Sequence, residues 1–204
     1  IDDPEFHEPA KIFNIVHGAS NTGSYDWLGI PPEAVSGKVR VRVSKIGDAD
    51  IQDISNADFR VRARFTVITP DGGQQWVVGA QQNIVWNQIG RTQGVKVTYY
   101  KQTDPATYDT FTLNQVFDSG NNSYLWTIPA FIQPDLILKV EDKDDNGAFD
   151  ISTTSFKIMR GFNVTSPDVN SKWYVGDPAT IAWTYTGTDT MVGIYYSLSG
   201  GVAG

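Results

Sequence analysis

The chain has 204 residues, 40% of them hydrophobic and 12% aromatic, with no cysteine and a formal net charge of −7. That is enough apolar material to build a core, and the acidic balance excludes nucleic acid as an expected partner, because phosphates call for a basic surface. Without cysteine there are no disulfides and no thiolate metal sites, and no run approaches the roughly 18 apolar residues that read as a membrane-spanning helix.

At the N-terminus, Ile1 is followed by neither a charged n-region nor an apolar h-region, which fits a mature, processed or excised chain. His7 and His17 are too few for a histidine-rich metal centre. The first clear elements are "KVRVRVS" (38–44) and "FRVRARF" (59–65). Each alternates strictly: Val39, Val41, Val43, Phe59, Val61, Ala63 and Phe65 on one side, Arg40, Arg42, Arg60, Arg62 and Arg64 on the other. That period of two is the signature of half-buried strands. Further along, strands are expected near 64–69, 82–87, 94–101, 109–117, 123–128, 135–141 and 153–160, separated by clusters of Gly, Pro, Asn and Asp. No window carries a convincing helical period. Seven short strands in about 97 residues, spaced by turns, point to an immunoglobulin- or fibronectin-III-like β-sandwich.

The pattern then restarts. "QQWVVGAQQNIVW" (74–86) returns as "SKWYVGDPATIAW" (171–183), a shift of 97. At the same shift Val43 falls on Val140, Asp53-Ile54-Ser55 on Asp150-Ile151-Ser152, Phe59 on Phe156, Phe65 on Phe162, Val67 on Val164, Pro70 on Pro167 and Tyr99 on Tyr196. "NTGSYDW", ending at Trp27, matches "GNNSYLW", ending at Trp126, at a shift of 99. Shared tokens at rare residue types mark an internal repeat. The expected fold is therefore all-β: tandem immunoglobulin/fibronectin-III-like sandwiches, one complete unit (64–160) flanked by the C-terminal part of a unit (1–63) and the N-terminal part of another (161–204). Trp27, Trp76, Trp86, Trp126, Trp173 and Trp183 are the expected core of the repeat.

The order of these tokens resembles a repeated β-sandwich module of secreted and surface proteins. Its carriers are Ser166-Pro167, Trp173, Gly176, Ile181, Trp183, Ile194, Tyr196-Ser197 and Gly200-Gly201, then Tyr124, Trp126, Pro129, Asp150, Ser152, Phe156 and Ile158. It is similar to the fungal cell-wall synthesis and Ser/Thr-rich GPI-anchored family and to its prokaryotic tandem-repeat relatives. The resemblance implies an extracellular or cell-surface array of folded modules and implies no reaction. It departs from the family pattern at "YYKQTDPATYDTF" (99–111), where a longer polar connection replaces the usual Gly-Gly turn.

A partial sandwich exposes an unpaired sheet edge and half a core. Either the chain belongs to a longer array, or the C-terminal part of one molecule pairs with the N-terminal part of the next by strand addition, a head-to-tail contact that makes a fibre unless it closes into a ring. Residue 204 corresponds to 107 of the complete unit and residue 1 to about 101, so the two parts together cover one unit. The partners expected are further repeats or neighbouring copies of the same chain.

Four features invite a site. "EDKDDNGAFD" (141–150) offers Asp142, Asp144, Asn146 and Asp150 around Gly147, a spacing of oxygen ligands suited to calcium, although Thr153 stands where a calcium loop has its bidentate Glu; the alternative is an acidic hairpin turn. Asp53 and Asp150, each followed by Ile-Ser, are expected to bond nearby backbone. The five arginines are expected to line one outer sheet face, either solvated or docking an acidic surface such as an aspartate loop of a neighbour or an anionic glycan. Asn121 and Asn163 head N-glycosylation triplets. No nucleophile elbow, zinc-protease motif or phosphate-binding glycine loop occurs, so an enzyme is not expected. The functional expectation is a structural or assembly segment of a surface layer, filament or stalk; the alternative is a glycan-binding or spacer module of a secreted enzyme, using Tyr99, Tyr100 and Tyr108.

Overall fold

The computed structural model describes residues 12–186 and 191–198. His7 and Gly200-Gly201 lie outside the described residues. Among those described there is no α-helix, only strands and a 3-10 turn at Pro32–Ala34, so the fold is all-β. In chain order the strands are β1 (Ser36–Val39), β2 (Arg42–Lys45), β3 (Asp48–Ile54), β4 (Phe59–Val61), β5 (Arg64–Thr69), β6 (Gln75–Val77), β7 (Gln81–Ile89), β8 (Val95–Lys101), β9 (Asp104–Leu113), β10 (Gly120–Thr127), β11 (Gln133–Asp142), β12 (Asp145–Ile151), β13 (Phe156–Met159), β14 (Phe162–Ser166) and β15 (Ala182–Tyr185).

Residues 64–159 close a sandwich-like body. One sheet runs β10-β7-β5; the other runs β6-β13-β11-β8-β9, with β12 added to β11. Every pairing is antiparallel except β6 with β13. The inward positions of both sheets make one core: Phe65, Val67, Ile84 and Trp86 from one side, Val95, Val97, Leu138, Val140, Phe156 and Ile158 from the other. Period-two burial is clear in β5 and β8 and blurs in β11, which is flanked by strands on both edges. Aromatic rings tie the two layers, with Trp76 edge-on to Trp126 at 5.9 Å between centroids and Tyr99 tilted against Trp126 at 4.8 Å.

The flanking segments repeat pieces of this body in the same register. Val43 pairs with Asp53 in β2–β3 as Val140 pairs with Asp150 in β11–β12. Ser36 faces Val61 as Gln133 faces Ile158. Val164 faces Trp183 in β14–β15 as Val67 faces Trp86 in β5–β7. Each correspondence is a shift of 97, and the register irregularities fall at matching places. Ser55 also repeats: its N–H donates to the Val41 carbonyl (2.9 Å), and the Ser152 N–H donates to the Leu138 carbonyl (2.8 Å).

The elements differ from expectation in four places. "KVRVRVS" is not one strand but two, β1 and β2, broken at Arg40-Val41. The equivalent β11 stays continuous because β8 pairs along Leu136–Asp142, and among the described residues nothing pairs with 36–45 in that way. "FRVRARF" is also divided, β4 ending at Val61 and β5 starting at Arg64, so the alternation runs through a joint between two bodies. The polar stretch after Tyr100 is a tight hairpin, with Tyr100 opposite Tyr108 and Lys101 opposite Asp104, rather than a longer connection. Finally, 145–151 and 75–77 are strands that composition had hidden, the first under acidic residues and the second by its brevity.

Candidate functional site

The joint between the first segment and the sandwich is where the sequence's two charged features meet. The end of β4 lies beside the turn between β11 and β12. Arg60 Nη1 sits 3.1 Å from Asp145 Oδ1, and Arg62 Nε donates to Asp145 Oδ2 at 3.0 Å. Gly147 donates its N–H to the same carboxylate (3.0 Å) and supplies the room: a Cβ there would lie 2.5 Å from Arg62 Nη2. Gly90, with φ +103°, leaves space for Val35; a Cβ would meet its Cγ2 at 2.4 Å and crowd Ala63, which is buried. Both residues of the linker 62–63 therefore pack against a glycine. Desolvation acts to raise the Asp145 carboxyl, but the Gly147 N–H and the two guanidiniums outweigh it and hold it below the ordinary carboxylate range.

The remaining arginines are placed separately. Arg40 Nε donates to Asp58 Oδ1 (2.7 Å) and its Nη1 to the Ser55 carbonyl (3.2 Å), closing the break between β1 and β2. Arg42 lies on β2 and Arg64 opens β5. The acidic surface met by Arg60 and Arg62 is the turn of the same chain.

The acidic stretch forms a hairpin whose turn is Lys143-Asp144. Asp142 Oδ1 accepts the Asp144 N–H (3.0 Å); burial raises the Asp142 carboxyl above its usual range, and repulsion from Asp144 and Asp145 adds to this. Asp150 Oδ2 accepts the Val67 N–H at 2.7 Å, joining β12 to the edge of the opposite sheet. The bond is thus made across 83 residues rather than to nearby backbone. Asn146 lies on β12 beyond the turn and is exposed. Among the described residues no three His, Cys, Asp or Glu side chains are grouped so as to hold a metal ion.

The six tryptophans divide by position. Trp76, Trp86 and Trp126 are buried in the sandwich, Trp27 and Trp183 are half-buried, and Trp173 is 49% exposed where its counterpart Trp76 is 5%. The same contrast runs through both flanking segments. Val164 is 60% exposed and Val67 5%; Val43 is 73% exposed and Val140 0%. Phe162, Ile181, Ile51 and Phe59 are likewise exposed where Phe65, Ile84, Ala148 and Phe156 are buried. Each flanking segment therefore presents to solvent an apolar face built like one wall of a core.

Sequence reasoning passed over Asp145 and Glu141. The ligand spacing skipped Asp145, although it sits between two acceptors in the quoted stretch. Glu141 is buried between Lys96 and Lys139, whose ammoniums overcome the desolvation that would raise its carboxyl and leave it lowered; its strand neighbours gave no hint of that. Of the tyrosines, Tyr99 is buried with its hydroxyl donating to Asp109 Oδ2 (2.6 Å), Tyr100 is half-buried and Tyr108 is exposed, so the three do not share one open aromatic surface. Asn121 and Asn163 are exposed on β10 and β14. No helix among the described residues is long and apolar enough to cross a membrane. Compared with known proteins, the chain matches no family model, and no curated protein matches it.

Proposed function

We propose that the chain is a structural segment of an extracellular or cell-surface array of immunoglobulin-like sandwiches, its units being 1–63, 64–160 and 161–204 of three successive repeats. One observation carries this reading: the flanking segments keep the strand register of the closed sandwich while the residues that should be core, Val43 and Val164 among them, stand exposed. Burying such faces is worth about 25 cal/mol per Å² of apolar surface, which is the driving force for joining a unit to its complement. The Arg60/Arg62–Asp145 contact supports it further, since it ties the end of the first unit to the β11–β12 turn of the next.

The experiment is electron microscopy of the purified chain together with scattering across a concentration series. Ordered end-to-end particles, or a mass that grows with concentration, are expected. Isolated particles that bind a glycan array and never associate would favour the module of a secreted enzyme instead.

A further inference from the structure

We propose that Asn146-Gly147 is a self-modification site, where the Gly147 amide nitrogen closes a succinimide on the Asn146 side chain at a rate held down by the Asp145 carboxylate. The inference stands apart from the array reading, since the reaction takes place within one hairpin. The pair is the chain's only Asn-Gly. Glycine after asparagine matters chemically: with no Cβ on the following residue, its nitrogen can approach the Asn Cγ without steric obstruction. Both residues are exposed, and the Asn146 side-chain amide has no hydrogen-bond partner among the described residues. Glu141 faces Phe149 and Asp142 faces Asp145, so 146–148 have no counterparts across the hairpin and bulge out of the ladder. The first unit has the same irregularity between Asp48 and Gln52 but carries Ala49-Asp50 there, so the bulge recurs and the reactive pair does not.

What restrains the pair is Asp145. The Gly147 N–H, whose proton must leave before its nitrogen can attack, donates to Asp145 Oδ1 at 3.0 Å. That bond favours the neutral amide, and a negative charge so near disfavours the amide anion. Arg60 and Arg62 hold the carboxylate in place. When the bond opens, the nitrogen loses its proton to solvent and bonds to Asn146 Cγ, while the bond from Cγ to Nδ2 breaks and ammonia leaves. Water then opens the ring at either carbonyl, giving aspartate or isoaspartate with no change of oxidation state. Isoaspartate lengthens the backbone by one methylene next to Gly147, where the Arg62 guanidinium leaves no room even for a Cβ. The joint between the first segment and the sandwich therefore registers the change.

Peptide mapping and ammonia release, followed over days at mildly alkaline pH, test this on the full chain. A free peptide of residues 141–150 sets the unrestrained rate. The chain is expected to accumulate isoaspartate at Asn146 about tenfold more slowly than the peptide, the worth of one hydrogen bond to a charged group. Asp145→Ala is expected to recover most of that factor, and Asp145→Asn, which keeps an accepting oxygen without the charge, to fall between. Hydrogen exchange of β7 and β8 amides checks that both still fold. Asn146→Ser should release no ammonia from this site. A chain that reacts as fast as the peptide, or Asp145 variants no faster than the unaltered chain, overturns the restraint. Absence of isoaspartate at Asn146 in both the chain and Asp145→Ala, while the peptide reacts, overturns the site itself.

Discussion

Two carboxylates on β12 bond groups far away in sequence, Asp145 the guanidiniums of Arg60 and Arg62 and Asp150 the backbone of Val67, and substitution separates their roles. Asp150→Ala leaves the Val67 N–H without its acceptor at the sandwich edge, which costs about 1–3 kcal/mol in urea unfolding. The same change at Asp53, which is exposed, stays within about 0.5 kcal/mol in the monomer. Asp142 gives the opposite sign. Burial, then repulsion from Asp144 and Asp145, raises its folded carboxyl, so ionising it above that value weakens the fold. Asp142→Asn keeps the acceptor for the Asp144 N–H and removes the charge. It is expected to raise the melting temperature at pH 7, with the gain fading as the pH falls through the raised folded value and gone below the ordinary Asp value of about 3.9.

At the scale of the element, the hairpin β11–β12 and the end of β4 form a charge-assisted clamp. Because the folded Asp145 carboxyl is held low, its contribution is complete above the ordinary Asp value of about 3.9 and is lost as the pH drops through the lower folded value. The Gly147 amide and the Arg62 Nε–H, followed by NMR, should report release in that acid window, and Asp145→Asn should flatten the response. Salt should weaken the clamp at neutral pH, since both arginines are about half exposed. Gly147→Ala places a methyl on the Arg62 guanidinium and is expected to displace that side chain while leaving the sandwich melting point nearly unchanged.

For the whole molecule, unequal burial of equivalent residues predicts unequal cost. Trp86→Ala opens the closed core and should cost about 3–5 kcal/mol. Trp183→Ala removes a half-buried ring from an open face and should cost clearly less in the monomer. If the open face is covered by assembly, the second substitution becomes severe there, and comparing unfolding at low and high protein concentration reads the difference directly.

Much of this was legible in the residues themselves. Period-two alternation in 59–65, turn formers between strands, and tryptophans recurring 97 apart are local consequences of burying one face of an extended chain, so they survive in the sequence of any stretch that has to do so. The break at Arg40-Val41, the division of "FRVRARF" at the joint, and the hairpin at 101–104 were not legible, because each depends on which strand lies alongside. Asp145 and Asp150 could be seen as acidic residues in one short loop, yet their partners are Arg60, Arg62 and Val67, each more than eighty residues away in sequence. The chain alone determines where apolar faces exist and that they recur. Which of those faces meets another and which is left open to water is decided only when strands distant in sequence come together.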